Sequence, residues 1–479
     1  MISDPPLSRP RDRRTPFSLR GEGPRVVPST SCRKAGLGVD ESATRVKAEE
    51  LTSASRAPAD GPSLQVDLRD SETPPAHAVD AQQAPSPDKG SDATGNGATT
   101  PAIARRAGHL GYRPELDGMR GIAIALVVSL HILNWPPGGF LGVDAFFTLS
   151  GFLITTLLLE EWQLHGALSL RRFYMRRIFR LLPGLACLLV VYTLFSLLLG
   201  GSARNVRLQG ALYGITYVAN WIQALDLPFP KEELGYVWSL AIEEQFYLVW
   251  PLTLILLLRL GRARPTRMKV VVVAMILLLV AWRTFLTRSG VSGPRLYFGT
   301  DARLDQLLVG CLLGIMYKSR IKLTGTWLLI PASILALGFL GWRAFLGEYW
   351  TPWLFTIGLT LISIAVGILV YACVTGSFPL LTRILSVKWL VFVGTISYSL
   401  YLWHVPVIRA ISGTSLGRLG WISIALKILL SLAAACASYF FVELPFLRRK
   451  KRLTRLRSAT SGKEAVAADV PIASSPAAP

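Results

Sequence analysis

The protein has 479 residues, of which 51% are hydrophobic and only 17% are charged, and its mean hydropathy is +0.42. This composition is too apolar for an ordinary soluble enzyme and indicates that the chain folds in a membrane. The formal net charge is +21, but the basic residues form short clusters between apolar segments. They therefore predict membrane topology and no nucleic-acid partner.

The two ends of the chain differ in composition from its middle. Residues 1–108 are rich in Ser, Pro, Asp, Arg and Ala and lack sustained periodicity, which predicts a disordered cytoplasmic extension. No apolar run follows Met1, so we expect no cleavable signal and insertion directed by the first span. Residues 448–479 predict a basic, disordered cytoplasmic tail, which leaves 109–447 as the transmembrane domain. The five cysteines lack CxxC spacing and predict neither disulfides nor a metal site.

The middle of the chain contains eleven apolar segments. They cover about 118–134, 140–159, 181–200, 208–222, 237–258, 270–286, 302–317, 325–342, 353–375, 389–411 and 420–443. Basic clusters on one side of a membrane must be separated by an even number of crossings, yet three segments lie between the clusters at 171–180 and 259–269. The weakest, 208–222, is short and polar, so we interpret it as re-entrant or interfacial. The sequence thus predicts an all-α polytopic membrane protein with about ten transmembrane helices and both termini in the cytoplasm.

The first span carries two ionisable side chains, Arg120 and His131. Eleven residues at about 100° each return to nearly the same azimuth, and the two Cα atoms lie roughly 16 Å apart along the helix axis. Ionisable groups inside a span are costly to bury, so they are functional candidates. A packed histidine and a snorkelling arginine are the structural alternative.

Two further motifs place polar side chains in later spans. Ser239, Glu243 and Tyr247 follow i, i+4 spacing and line one helical stripe. A carboxylate on that stripe needs a partner such as arginine or histidine. Asp144 and Ser150 lie in the second span, where a helix-start residue and a packing residue are equally good interpretations.

The remaining polar motifs lie nearer the ends of spans. A surface stretch contains the cations Arg172, Arg176, Arg177 and Arg180, which suit either lipid headgroups or a phosphate ligand. Arg303 and Asp305 have the spacing of a local ion pair. Tyr398 and His404 lie in another span, and that histidine is the rival of the first one for a catalytic role.

Taken together, these motifs resemble the acyltransferase-3 family of membrane-bound O-acyltransferases. The resemblance is carried by Arg113-Pro-Glu-Leu-Asp117-Gly-Met-Arg120-Gly, His131, Gly142-Val-Asp144-Ala-Phe-Phe, Ser150-Gly-Phe-Leu, Arg172-Phe-Tyr-Met-Arg176-Arg-Ile-Phe-Arg180-Leu-Leu-Pro, Trp238-Ser-Leu to Phe246-Tyr247, Arg303-Leu-Asp305, Tyr398 to His404 and Glu443-Leu-Pro-Phe. The likeness covers about 110–450. Seven or eight motifs in the same order are far more specific than any one of them.

Membership of this family implies transfer of an acyl group, commonly acetyl from acetyl-CoA or another acyl-CoA, without a metal. The implied acceptor is a hydroxyl of a cell-surface glycan or a glycosylated small molecule, and the location is the inner or plasma membrane. Some relatives carry a C-terminal SGNH-type domain, but this chain ends 36 residues after Glu443. We therefore expect a second acyl-transfer step to be absent or performed by a glycan-assembly partner protein.

The family's Arg-x10-His element falls on Arg120 and His131, which become the leading functional pair. Acyl transfer to an alcohol requires a base, groups that stabilise the oxyanion, and cationic side chains that bind the donor phosphates. We hypothesise that His131 is the general base or a transient acyl carrier, that Glu243 fixes its tautomer, and that Arg120 holds the thioester end of CoA. The donor phosphates are assigned to Arg172, Arg176, Arg177 and Arg180. Substrate-binding or supporting roles are assigned to Asp144, Ser150, Ser239, Tyr247, Asp305, Tyr398 and His404.

One alternative function belongs to a different class. A transporter or export partner for a glycan or lipid could use the same buried charges as a pathway, although no internal repeat supports it. It predicts flux without a change in the mass of the substrate.

Overall fold

The computed structural model describes residues 110–199, 201, 204–260, 264–319, 326–347 and 351–449. Almost all of the two predicted terminal extensions lies outside these residues. Regular secondary structure in the described part of the chain is entirely helical. The α-helices are α1 (Pro114–Leu133), α2 (Leu141–His165), α3 (Leu170–Leu199), α4 (Arg204–Ile215), α5 (Ala219–Ala224), α6 (Lys231–Leu234), α7 (Trp238–Leu260), α8 (Pro265–Arg288), α9 (Gly293–Phe298), α10 (Leu304–Lys318), α11 (Thr326–Leu346), α12 (Leu359–Thr375), α13 (Pro379–Leu385), α14 (Lys388–Thr395), α15 (Ser397–Ser412) and α16 (Trp421–Ala437). Short 3-10 segments occupy Pro137–Phe140, Gly235–Val237, Thr300–Ala302 and Ser415–Arg418, and π-helical turns occupy Leu354–Gly358 and Ser438–Glu443.

Eight helices among the described residues are long and apolar enough to cross a membrane. A ninth crossing results if α14 and α15, which are bent by 70° relative to each other, form one broken span. The predicted fold class, all-helical and polytopic, is confirmed, with eight or nine such helices where the sequence predicted about ten. The side of the membrane on which the termini lie stays a prediction.

Two of the predicted apolar segments form short helices. The segment 302–317 corresponds to α10, whose 15 residues span about 22 Å, less than the roughly 30 Å of a hydrocarbon core. The segment 208–222, predicted not to cross, forms α4 and α5, of 12 and 6 residues. Tyr217 lies between these two helices with a left-handed φ of 56°. Neither α4 nor α5 reaches the length of a span.

Helices α2 and α10 form the centre of the bundle through a close contact of small residues. A Cβ on Gly151 of α2 would overlap the carbonyl oxygen of Leu307, and a Cβ on Gly310 of α10 would overlap that of Thr148. Glycine at both positions therefore lets the two backbones approach more closely than larger residues would allow. This contact fixes the distance between the second span and the short α10.

Two buried ion pairs connect the central helices. Asp144 of α2 accepts a 2.7 Å hydrogen bond from Arg303, and Asp305 of α10 accepts one of 2.6 Å from Arg283 of α8. All four side chains are fully buried. The expectation of a local pair between Arg303 and Asp305 is therefore wrong, because each of them meets a partner from a distant part of the chain. A helical spacing identifies neighbours on one helix but not partners on another.

The Arg283 guanidinium is held by a π-helical turn as well as by its carboxylate. Arg283 donates to the carbonyl oxygens of Phe355 and Thr356 at 2.9 and 3.2 Å and to the Thr360 hydroxyl at 2.7 Å. The wider π-turn exposes carbonyl oxygens that a regular α-helix would use internally. The result is a fully hydrogen-bonded charge in the centre of the bundle, as a buried ion pair requires.

Candidate active site

A cavity of about 160 Å³ lies between helices α1, α2, α3, α7 and α15. Its walls combine aliphatic side chains with an unusual density of polar ones. The polar and aromatic lining consists of Arg120, Phe146, Ser150, Arg177, Arg180, Ser239, Glu243, Tyr247, Ser397, Tyr398 and Tyr401. Seven of the candidate residues from the sequence line this cavity besides Glu243 itself: Arg120, Ser150, Arg177, Arg180, Ser239, Tyr247 and Tyr398.

Three guanidinium groups reach the cavity. Arg120 comes from α1, where it lies 3.8 Å from Asp117, and Arg177 and Arg180 come from α3. The Arg177 guanidinium lies 4.3 Å from the centre of the Tyr247 ring, a distance that suits a cation–π contact. The lining thus holds three cations against the single carboxylate of Glu243, which favours an anionic ligand.

The other two arginines of the surface stretch have a different partner. Arg176 donates to Glu161 at 2.6 Å, and Arg172 lies 3.7 Å from the same carboxylate. Neither of them lines the cavity. The arginine motif is therefore divided between an ion-pair cluster at the end of α2 and the cavity.

Helix α7 places Ser239, Glu243 and Tyr247 on one face, as their spacing predicted, and this face lines the cavity. Tyr247 donates to the Glu243 carboxylate at 2.9 Å, and the Ser150 hydroxyl of α2 interacts with both side chains. Glu243 is thus engaged by hydroxyl groups and by the field of Arg120 and Arg177. These contacts offset part of the cost of burying the Glu243 carboxyl group inside the bundle.

Helix α15 begins at the cavity because the chain breaks between α14 and α15. Tyr398 donates to the carbonyl oxygen of Leu181 at 2.6 Å, which anchors α15 to α3. One turn later, the Tyr401 hydroxyl donates to the carbonyl oxygen of Tyr236 and also shares a hydrogen bond with the Ser239 hydroxyl. Tyr401 was not among the candidate residues, although its i+3 spacing from Tyr398 and from His404 was a signal that could have found it.

The two histidines of the sequence motifs lie together beyond the cavity. His131 of α1 and His404 of α15 have ring centroids 4.9 Å apart and planes at 83°. Neither lines the cavity, but the Tyr401 ring lies 5.6 Å from the His404 ring and so connects the two regions. Glu243 hydrogen-bonds Tyr247, whereas the Nδ1 atom of His131 donates to the carbonyl oxygen of Val127 at 2.8 Å. A backbone carbonyl therefore orients the His131 imidazole.

Asp144 and Asp305 lie apart from the cavity. Both belong to the buried ion pairs of the central helices, and neither contributes to the cavity wall. Their geometry suits a structural role. The Arg303 partner of Asp144 is surrounded by the rings of Tyr297, Trp238 and Phe147 at 4.9, 5.4 and 5.7 Å.

A helical bundle that crosses the membrane repeatedly and encloses a cationic, hydroxyl-rich cavity beside two imidazoles has the architecture of an integral membrane transferase. A family model described as an acyltransferase domain matches residues 113–441. The chain belongs to this acyltransferase family, as the ordered motifs predicted.

Several relatives are similar over most of the membrane domain. Peptidoglycan O-acetyltransferase OatA of Listeria monocytogenes is 36% identical, over 62% of this chain and 49% of the relative. The putative peptidoglycan O-acetyltransferase YrhL of Bacillus subtilis is 33% identical over 70% and 55%, and O-acetyltransferase OatA of Staphylococcus aureus is 35% identical over 71% and 58%. The chain thus spans about half the length of these relatives. No solved structure matches significantly. The spans and the relatives identify a multi-pass protein of the cell membrane.

Proposed function

We propose that this protein is a membrane O-acetyltransferase that moves an acetyl group from cytoplasmic acetyl-CoA to a hydroxyl of a cell-envelope glycan, with peptidoglycan as the first acceptor to test. The observation that carries the proposal is the cavity, in which three arginines, one carboxylate and a row of hydroxyls converge. Within an acyltransferase family, these groups supply what a phosphate-bearing acyl donor requires.

The cationic lining supports the donor assignment. Coenzyme A carries several phosphates, and guanidinium groups bind phosphate through paired, charge-assisted hydrogen bonds. Arg177 and Arg180 lie on α3 and belong to the basic cluster at 171–180 that the positive-inside rule assigns to the cytoplasm. The N-terminus of α15, with Ser397 in the lining, adds the positive end of a broken helix to the same potential.

The proposed chemistry uses the imidazole of His131. Since its Nδ1 atom donates to Val127, the neutral ring has its lone pair on Nε2. In the transfer, Nε2 removes the proton of the acceptor hydroxyl while the oxygen attacks the thioester carbonyl. The new C–O bond forms, the C–S bond breaks, and the proton passes to the departing thiolate, so that no proton is gained or lost. Arg120 lies roughly 16 Å from His131 along the axis of α1, so it acts at the cationic end of the site, where it binds the donor together with Arg177 and Arg180.

Glu243 is assigned a supporting role in the cavity. Its hydrogen bond with Tyr247 and its interaction with Ser150 hold the wall of the cavity, and its charge offsets part of the repulsion among the arginines. Tyr398, Tyr401 and Ser239 join α15 to α3 and α7, so they position the helix that carries His404. Asp144 and Asp305 keep the core helices in register.

The acceptor assignment comes from the relatives, two of which are named for peptidoglycan O-acetylation. The chain covers about half of the length of these relatives, so peptidoglycan is the acceptor to test first.

The test is acetylation of cell-envelope glycans in host cells with the intact gene, without it, and with His131→Ala. We expect a mass increase of one acetyl group on glycan fragments only with the intact chain, by mass spectrometry. Normal acetylation by the His131→Ala chain at equal expression would exclude the catalytic assignment. Glycan or lipid that crosses the membrane without a mass change would favour the transporter.

A mass-spectrometric search for acetylated protein after rapid quenching separates the two chemical roles of His131. A general base leaves no acyl-enzyme, whereas an acyl carrier accumulates acetyl-His131 when the acceptor is withheld.

A further inference from the structure

The feature that the mechanism above leaves unused is the second histidine, His404. It lies on α15, fully buried, against His131 of α1 with a centroid distance of 4.9 Å. The sequence presented these two residues as rivals for one role. Their edge-to-face contact places them in one site.

Both imidazoles have the same tautomer. The Nδ1 atom of His404 donates to the carbonyl oxygen of Tyr401 at 2.7 Å and lies 3.1 Å from that of Leu400, and Nδ1 of His131 donates to Val127. A carbonyl oxygen only accepts, so each Nδ1 carries the hydrogen. Each neutral ring therefore has its lone pair on Nε2.

The surroundings of His404 are neutral and aromatic. The rings of Tyr236 and Tyr401 lie 5.3 and 5.6 Å from it. The Tyr236 hydroxyl donates to the carbonyl oxygen of Leu402, and the Tyr401 hydroxyl donates to that of Tyr236. The nearby cation Arg409 is paired with Glu232 at 2.7 Å. No carboxylate in the described residues hydrogen-bonds His404, so nothing there compensates a charge on it.

The Nε2 atom of His404 is buried and makes no hydrogen bond within the described part of the chain. A buried acceptor without a donor is costly, and such groups in folded proteins usually serve a purpose. A positive charge nearby would remove this cost, because the lone pair is the negative end of the ring dipole. The side chain in ring contact that can become positive is His131.

We propose that His404 stabilises the imidazolium that forms on His131 during acyl transfer, and does so as a neutral ring with a buried Nε2 lone pair, held in edge-to-face contact with the ring that gains the charge. The inference rests on the proposed function, in which His131 accepts the hydroxyl proton. One O–H bond breaks and one N–H bond forms on His131, and His404 gains no proton. Two imidazolium rings at this distance would repel each other, so the pair takes up only one proton beyond the two Nδ1 hydrogens.

Two substitutions separate this electrostatic role from packing. His404→Phe keeps an aromatic ring of similar volume against His131, Tyr236 and Tyr401 but has no lone pair. His404→Gln loses the aromatic ring but carries an amide oxygen at about the position of Nε2. A control is His165→Phe, because His165 also donates from Nδ1 to a carbonyl four residues earlier but lies at the far end of α2, outside the site.

The experiment measures acetyl transfer by the full chain, purified in lipid nanodiscs, with radiolabelled acetyl-CoA as donor and a tetramer of N-acetylglucosamine as acceptor. We expect His404→Phe to lower kcat by about tenfold or more while both KM values stay within about twofold, since the loss lies in the charged intermediate. We expect His404→Gln to recover at least about threefold of that loss, and His165→Phe to behave as wild type. Thermal unfolding of each variant confirms that it is folded.

Each other result contradicts the inference. Three results would overturn the role of His404 and leave the proposed function intact. They are a folded His404→Phe chain with wild-type kcat, a loss confined to KM, and a His404→Gln chain that is no more active than the Phe variant. A wild-type chain that transfers no acetyl group overturns the proposed function and this inference together. If His404→Phe fails to fold, the Gln variant decides, because a kcat within about threefold of wild type supports the lone-pair role and a total loss overturns it.

Discussion

The division of the arginine motif leads to a sharp prediction about two adjacent residues. Arg177 lines the cavity and lies over the Tyr247 ring, whereas Arg176 donates to Glu161 outside it. We expect Arg177→Gln to weaken binding of acetyl-CoA strongly and Arg176→Gln to leave it within about twofold. The two substitutions remove the same charge one residue apart, so a general change in surface potential affects both alike.

The size of the effect follows from the contact that is lost. A hydrogen bond to a charged group contributes about 1.5–3 kcal/mol, which corresponds to roughly tenfold to a hundredfold in affinity. Arg177 is half-buried and has Arg120 and Arg180 as neighbours in the lining, so the remaining cations compensate in part. We therefore expect a value near tenfold in the donor KM, with a smaller change in kcat.

The assay is binding of acetyl-CoA to the purified chain in nanodiscs, by equilibrium dialysis, and the donor KM of transfer. The wild-type affinity should fall with added salt, and the salt dependence should be shallower in Arg177→Gln. Arg177→Lys should retain part of the affinity, because it keeps the charge but loses the planar fork. Equal losses in Arg176→Gln and Arg177→Gln would refute the assignment of the cavity as the donor site.

The remaining predictions concern the stability of the bundle. Asp144→Ala leaves Arg303 buried without its carboxylate, so we expect a loss of about 3–5 kcal/mol, measured by unfolding of the purified chain in mild denaturant; an unchanged midpoint would contradict it. Gly310→Ala should lower the folded yield because its Cβ overlaps the Thr148 carbonyl. Gly338→Ala in α11, where a Cβ meets nothing within 4 Å, should be neutral or slightly stabilising, and equal effects of the two would refute the packing argument.

Periodicity and hydropathy anticipate the elements of this fold well, because each depends on neighbours along the chain. Ser239, Glu243 and Tyr247 share one helical face as their i, i+4 spacing predicted, and that face lines the cavity. The count of spans was less accurate, since the apolar segment 302–317 forms a helix, α10, that is only 15 residues long. Hydropathy reports where a helix is apolar and not whether it is long enough to cross.

Contacts between distant helices were not predictable in the same way. Arg303 was assigned to Asp305 because they are close in sequence, but the fold brings Asp144 to it instead. The two histidines belong to motifs at opposite ends of the domain, and nothing in either motif indicates that their rings meet. Such pairings depend on the packing of whole helices, which a single sequence encodes only indirectly.

The break between α14 and α15 shows how local residue spacing and the packing of distant helices act together. A continuous helix over 389–411 would carry Tyr398, Tyr401 and His404 along one straight face, whereas the 70° bend starts α15 at the cavity. The i, i+3 spacing then directs Tyr398 and Tyr401 to the cavity wall and His404 to His131. One helix therefore links the cationic end of the site to the imidazole pair. A donor with its phosphates at one end and its thioester at the other needs a site divided in this way, with charge binding and proton transfer at separate places.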